Sequence, residues 1–293
     1  IKMTEDKKDE EQVKEETVKT EDNKDKSPEI KGGSGPTGHR RNDSNKRKSS
    51  YGRERGKPVA FDKEGWKPRT SLGEQVKKGD IKDIDEILDN GIKYIEPEIV
   101  DCFFPDAEIE LLLVGQSKGK FGGGQRRVFK QTQKKTREGN KPKFATTAAM
   151  GNKNGYIGIG YGKSKETVPA REKAMRNAKL SLIKVRRGCG SWECGCKTAH
   201  SIPFKVQGKC GSVIITLIPA PKGTGLCING ECKKMLALAG IKDVWSNVIG
   251  KTATSTNLIK ACFKALKQLM IVKIKPDDVE KLGIIEGSMK SES

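Results

Sequence analysis

From Trp66 onward, apolar residues recur at intervals that define an order of elements, whereas the chain before it is almost wholly polar. Ser71 and Glu74 stand as an S-x-x-E pair ahead of Val76 and predict a short helix opened by a capping box. Ile81, Ile84, Ile87 and Leu88 share one face of a second helix, which Asn90-Gly91 stops. Glu108–Val114 reads as a strand. Phe144–Met150 and Tyr156–Gly160 read as two more, joined by a tight turn at Asn152–Gly155. Ala170, Ala174, Ala178 and Leu182 repeat every four residues. They predict a helix from Pro169 to about Ile183, with Pro169 at the first position, where no amide donor is needed.

Beyond Arg187 a second set of elements follows. Ser212–Ile218 is a strand ended by Pro219 and Pro221, and Gly223–Gly225 a turn. Cys232–Ala239 is a helix with Gly240 just past its end, and Ser255–Met270 a longer one with Leu258, Cys262, Leu266 and Met270 in register. The succession predicts an α+β protein in five parts. These are a disordered charged extension over 1–65, a helical lead-in over 66–106, a first domain over 107–183, a second over 184–275, and a polar tail over 276–293.

Charge turns this fold into a statement about a partner. The 293 residues carry a formal net charge of +20, unevenly placed. Residues 1–30 sum to −4, 31–70 to +8, 71–110 to −8, 111–187 to +17 and 188–293 to +7. Between 111 and 187 only Glu138, Glu166 and Glu172 offset 20 basic side chains. A solvated surface scatters its charge; this concentration points to a polyanion, with nucleic acid ahead of anionic lipid.

The stretch Gln125–Lys143 reads as a basic loop carrying Arg126, Arg127, Lys130, Lys134, Lys135, Arg137, Lys141 and Lys143 beside Phe129 and Phe144. That pattern suits phosphate neutralisation and recognition of shape. Gly160–Lys165 reads as a loop that brings Lys163 and Lys165 to a helix N-terminus, as a phosphate contact or a plain surface turn. Lys153, Arg171, Arg176, Arg186 and Arg187 complete the candidate RNA-facing set. The acidic segment 71–110 faces either a basic neighbour or solvent. Ile1–Ile30 is too polar to fold alone, and Lys31–Ser50 is a basic tail that suits phosphates.

Other classes find little support. Gly162-Lys163-Ser164 and Gly250-Lys251-Thr252 would need glycines where Ile157 and Trp245 stand, so neither is a P-loop. The two histidines are His39, in the extension, and His200. No nucleophile elbow or zinc-protease helix occurs, and the reading is that the chain is not an enzyme. No apolar run of about 18 residues predicts a membrane span. The charged N-terminal stretch argues against secretion and for a cytoplasmic, reducing location, where eight cysteines serve as metal ligands or small core residues.

Cys189, Cys194, Cys196 and His200 lie within twelve residues, with Gly188, Gly190 and Gly195 giving the backbone freedom to wrap an ion. A single structural Zn2+ would take such a set of four. Three reduced cysteines in a Gly-rich loop are the alternative. The remaining cysteines read as core, with Cys227 and Cys232 a weak second pair.

Long consecutive motifs carry a resemblance. GNKNGYIGIGYGKSKE, RRGCGSWECGCKTAHSIPFKVQGKCGSV and LIPAPKGTGL resemble the universal small-subunit ribosomal protein of family five in its archaeal form, from about Trp66 to Met270. The resemblance implies a module similar to a double-stranded-RNA-binding fold, followed by an α/β module of the left-handed βαβ type. It implies that the Cys/His cluster is a zinc loop. It implies that Arg126-Arg127-Val128-Phe129-Lys130-Gln131-Thr132 faces ribosomal RNA (rRNA) and messenger RNA (mRNA) at the entrance channel. Small-subunit proteins of families four and eight would be neighbours, and the role would be tied to translational accuracy. The leader before Trp66 falls outside the resemblance.

Overall fold

The computed structural model describes residues 63–116 and 126–288. Nearly all of the expected extension over 1–65 lies outside the described residues, as does the stretch 117–125.

Three short helices lead in: α1 (Ser71–Lys78), α2 (Ile84–Asp89) and α3 (Glu98–Phe103). The cap of α1 is Thr70, not Ser71. Its hydroxyl accepts from the Gly73 amide at 3.2 Å, which puts Glu74 one position beyond the reach of a capping box. The second helix starts at Ile84 rather than Ile81, because Asp83 is held in an extended conformation. Trp66, Val76, Ile87 and Ile99 close a small core among these helices.

The first sheet comprises β1 (Glu108–Leu112), β2 (Lys130–Thr136), β3 (Gly139–Gly151), β4 (Tyr156–Ser164) and, after helix α4 (Thr167–Leu180), β5 (Leu182–Lys184). Its order is β1-β3-β4-β5, with β2 paired to the free N-terminal half of β3. The turn between β3 and β4 forms as expected: Asn152 Oδ1 accepts from the amides of Asn154 (2.8 Å) and Tyr156 (3.2 Å).

Ala170, Ala174 and Ala178 bury against Gly158, Gly160 and Gly162 of β4. A Cβ on Gly160 would lie 2.0 Å from the Ala174 carbonyl oxygen, so only glycine allows α4 this close. The expected loop at Gly160–Lys165 is therefore strand as far as Ser164. Its glycines mark close packing, not a turn. Pro169 is the third helical residue rather than the first, behind Glu166 at the cap.

The acidic lead-in docks on this sheet. Asp101 pairs with Lys179 at 2.6 Å and Asp89 with Lys184 at 2.9 Å. The Tyr156 hydroxyl donates to Asp85 at 2.6 Å, and the Tyr94 hydroxyl to the Lys179 carbonyl at 2.7 Å. Burial pushes the Tyr94 hydroxyl up to about 12. Part of the charge expected to face a neighbour thus serves the chain's own packing.

After β6 (Arg186–Arg187) comes a second sheet of β7 (Val206–Cys210), β8 (Val213–Pro219), β9 (Leu226–Cys227) and β10 (Val244–Ile249), ordered β7-β8-β10-β9. Helix α5 (Gly230–Leu238) connects β9 to its parallel neighbour β10, a βαβ unit. Helix α6 (Ser255–Ile271) buries Leu258, Cys262 and Leu266 with Val213, Ile215 and Leu217. The same core reaches Leu112, Ala149 and Ile157 of the first sheet, so the two sheets share one apolar interior. The segment read only as a polar tail forms α7 (Pro276–Leu282) and β11 (Ile285–Glu286), which pairs with β6. No described helix is long and apolar enough to cross a membrane.

Candidate metal centre and nucleic-acid interface

Between β6 and β7 the chain closes on itself. Gly188 and Ser201 exchange backbone hydrogen bonds of 2.9 and 3.0 Å, making a stem for the loop 189–200. Gly190 packs so tightly on Pro203 that a Cβ would meet its carbonyl oxygen at 2.0 Å. The stem brings the sulfurs of Cys189, Cys194 and Cys196 and a ring nitrogen of His200 within 4.8 Å of one another. Cys194 Sγ and His200 Nε2 are 3.8 Å apart. A tetrahedral zinc site with bonds near 2.3 Å has edges of about 3.8 Å, so the four donors fit such an ion after slight contraction, with no position left open.

The geometry adds Asp243, which the sequence reading missed. Its Oδ2 lies 2.8 Å from His200 Nδ1, both side chains being buried. Its Oδ1 accepts from the amides of Gly223 (3.2 Å) and Gly225 (2.8 Å). A carboxylate only accepts, so Nδ1 carries a hydrogen, and Nε2 is the ring nitrogen turned toward the Cys194 sulfur. Hydrogen bonds from the Thr198 hydroxyl and amide hold the Cys196 thiol down to about 6, while burial and the neighbouring thiols push Cys189 up to about 11. Of the other cysteines, Cys227 is exposed rather than core. Cys232 is hydrogen-bonded to buried Cys262 and does not pair with Cys227.

The expected basic loop is a β-ribbon. Strands β2 and β3 pair from Lys130↔Ala145 to Thr136↔Gly139, and nearly every residue from Lys130 to Lys143 is exposed. Strand alternation puts Lys130, Lys134, Lys141 and Lys143 on one face, with Lys134 directly opposite Lys141. Lys163, opposite Ala145 on β4, continues that face. Like charges in a directly opposed pair repel, and a two-stranded ribbon without an apolar face has little of its own to hold it. Arg126 and Arg127 lie at the base of the ribbon, where Arg126 is hydrogen-bonded to Ser255 at the start of α6.

Two comparisons place the chain among known proteins. Residues 125–186 match the model of "Ribosomal protein S5, N-terminal domain", and residues 208–281 that of the C-terminal domain. Proteins named small ribosomal subunit protein uS5 align over most of their length. That of Methanocaldococcus jannaschii is 47% identical over 78% of this chain and 99% of its own. For Methanococcus maripaludis the figures are 47%, 78% and 94%, and for Nanoarchaeum equitans 48%, 77% and 97%. The chain belongs to the uS5 family. The relatives are named as proteins of the small ribosomal subunit and are structural rather than enzymatic, and this chain, as a member of their family, is not an enzyme. The uS5 domain matches take in the ribbon and α4 on one side and the second sheet on the other. The loop 189–200 lies between them.

Within this uS5 fold the remaining candidate residues separate. Lys135 is on the opposite face of the ribbon from Lys134. Lys165, Arg171 and Arg176 are exposed on and just before α4, across the sheet from the ribbon's lysine face. Lys153 sits at the far end of β3, paired with Glu108. Two of the candidates are engaged within the chain's own fold. Arg187 is only 4% exposed, and its guanidinium donates to Asn154 Oδ1 (2.8 Å) and the Gly287 carbonyl (3.0 Å). Arg186 holds Glu286 at 2.6 Å and the Leu269 carbonyl at 3.0 Å. Both arginines fasten the C-terminal segment to the body of the chain. Sequence reading placed them with the basic run because β11, their partner strand, carries no distinctive pattern.

Proposed function

We propose that the chain binds rRNA through the lysine face of the β2–β3 ribbon, lines the mRNA entrance channel and supports translational accuracy. The observation that carries this reading is the four-lysine face, with Lys134 opposed to Lys141, standing clear of the chain's own core. Lys163, Arg126 and Arg127 extend the interface, and Lys165, Arg171 and Arg176 offer a second surface across the sheet. We read residues 107–183 as a double-stranded-RNA-binding-like domain and 184–275 as a left-handed βαβ module. The neighbours would be small-subunit proteins of families four and eight, in cytoplasmic ribosomes.

One structural zinc ion completes the reading, held by Cys189, Cys194, Cys196 and His200 and oriented by Asp243. The donor set of three thiols and an imidazole backed by a carboxylate supports it. When bound, the ion would tie the loop 189–200 to the start of the second sheet.

Co-sedimentation tests the ribosomal reading. The chain should remain with small subunits through a high-salt gradient, whereas a free RNA-binding protein held by charge alone would dissociate.

A further inference from the structure

The lysine face of the ribbon does not end at Lys163. On the same side of the first sheet, Ala149 and Ile157 lie in the core shared with the second sheet. Toward the ribbon, the cross-strand rows Thr147↔Tyr161 and Ala145↔Lys163 run out from beneath that core. There the sheet and α6 part, leaving a cavity of about 350 Å³. Ala145 and Thr147, being small, leave room on its floor. Tyr161, an aromatic side chain left 45% exposed, and Phe263 of α6 line it. Lys130, Lys260 and Lys264 also line it, and among the described residues no carboxylate does. Lys260 Nζ sits 5.9 Å from the centre of the Tyr161 ring.

We propose that this cavity receives one unpaired nucleotide of the RNA, its base stacked on Tyr161 and its phosphates held by Lys130, Lys260 and Lys264. The proposal rests on the RNA-binding reading above and adds a place where single-stranded RNA is told from duplex. Its chemistry is that of a nucleotide: an aromatic wall and apolar floor for a base, beside three cations for phosphate. The volume lies within the range of about 300–1,000 Å³ usual for small-ligand sites. Lys130 belongs to both the ribbon and the cavity, so a strand tracking the ribbon arrives at the opening. A base still stacked within a duplex cannot enter.

The test uses the full chain and two matched RNA hairpins, one fully paired and one carrying a single unpaired fluorescent aminopurine. The bulged hairpin should bind about tenfold more tightly, with its fluorescence quenched on binding. Tyr161→Leu should abolish both the quenching and the preference while leaving the paired hairpin's affinity unchanged. Tyr161→Phe should retain both effects. Equal affinity for the two hairpins, with steep salt dependence intact, overturns the nucleotide site and leaves the RNA-binding reading standing. Failure to bind either hairpin overturns both. Free adenosine monophosphate is the third arm. If it displaces the bulged base at micromolar concentration, the site belongs to a free nucleotide and the assignment to RNA is wrong; no displacement at that concentration supports RNA.

Discussion

His200 and Asp243 stand 43 residues apart in sequence and 2.8 Å apart in space, and their contact fixes which ring nitrogen faces the three thiols. Because Asp243 also accepts the amides of Gly223 and Gly225, it ties the loop 189–200 to the turn before β9. Asp243→Asn removes the negative charge behind the imidazole and should weaken metal affinity about 10- to 100-fold. Competition against a chromophoric chelator measures this; a change below about twofold would mean that the carboxylate does not orient the ring.

The purified chain should hold about one equivalent of zinc, and chelation should lower its Tm, because metal binding is coupled to folding. Cys194→Ser should have the same effect without chelator. Metal analysis showing under half an equivalent would remove zinc from the account.

Close approach of α4 to β4 depends on glycine. Gly160→Ala places a methyl group 2.0 Å from the Ala174 carbonyl oxygen and should destabilise the chain by about 1–3 kcal/mol. Gly230→Ala, where nothing lies within 4 Å, should stay within about 0.5 kcal/mol. Urea denaturation compares the two, and equal midpoints would contradict the packing described.

Asp101 and Lys179 are each about one-fifth exposed and 2.6 Å apart, whereas Glu138 and Lys141 form a largely exposed pair. Double-mutant cycles should give a coupling of about 1–2 kcal/mol for the first and below about 0.5 kcal/mol for the second. Comparable couplings would show that docking of the lead-in helices owes nothing to this contact.

What the sequence reveals depends on the range of the signal. The α6 register and the Asn152–Gly155 turn are local patterns and form as expected, save that Leu269 rather than Met270 is the last buried position after Leu258, Cys262 and Leu266. The four metal-ligand candidates are close in sequence, and the structure gathers them. Asp243 has no nearby companion in the sequence; it matters only once β10 has brought it under the loop. The ribbon was hidden because both of its faces are polar, so Lys130–Lys143 lacks the apolar alternation by which strands are recognised. Arg187 shows the converse: composition does not distinguish a buried guanidinium from an exposed one.

The ribbon face is the centre of the account, and the salt dependence of rRNA binding tests it most directly. Replacing Lys130, Lys134, Lys141 and Lys143 together by glutamine should weaken binding and make the slope of log K against log salt shallower by about 3, near 0.7–0.9 for each phosphate no longer neutralised. The same replacement on the exposed Lys153, outside the ribbon, should leave the slope where it was. An unchanged slope in the ribbon variant would mean that this face points away from RNA.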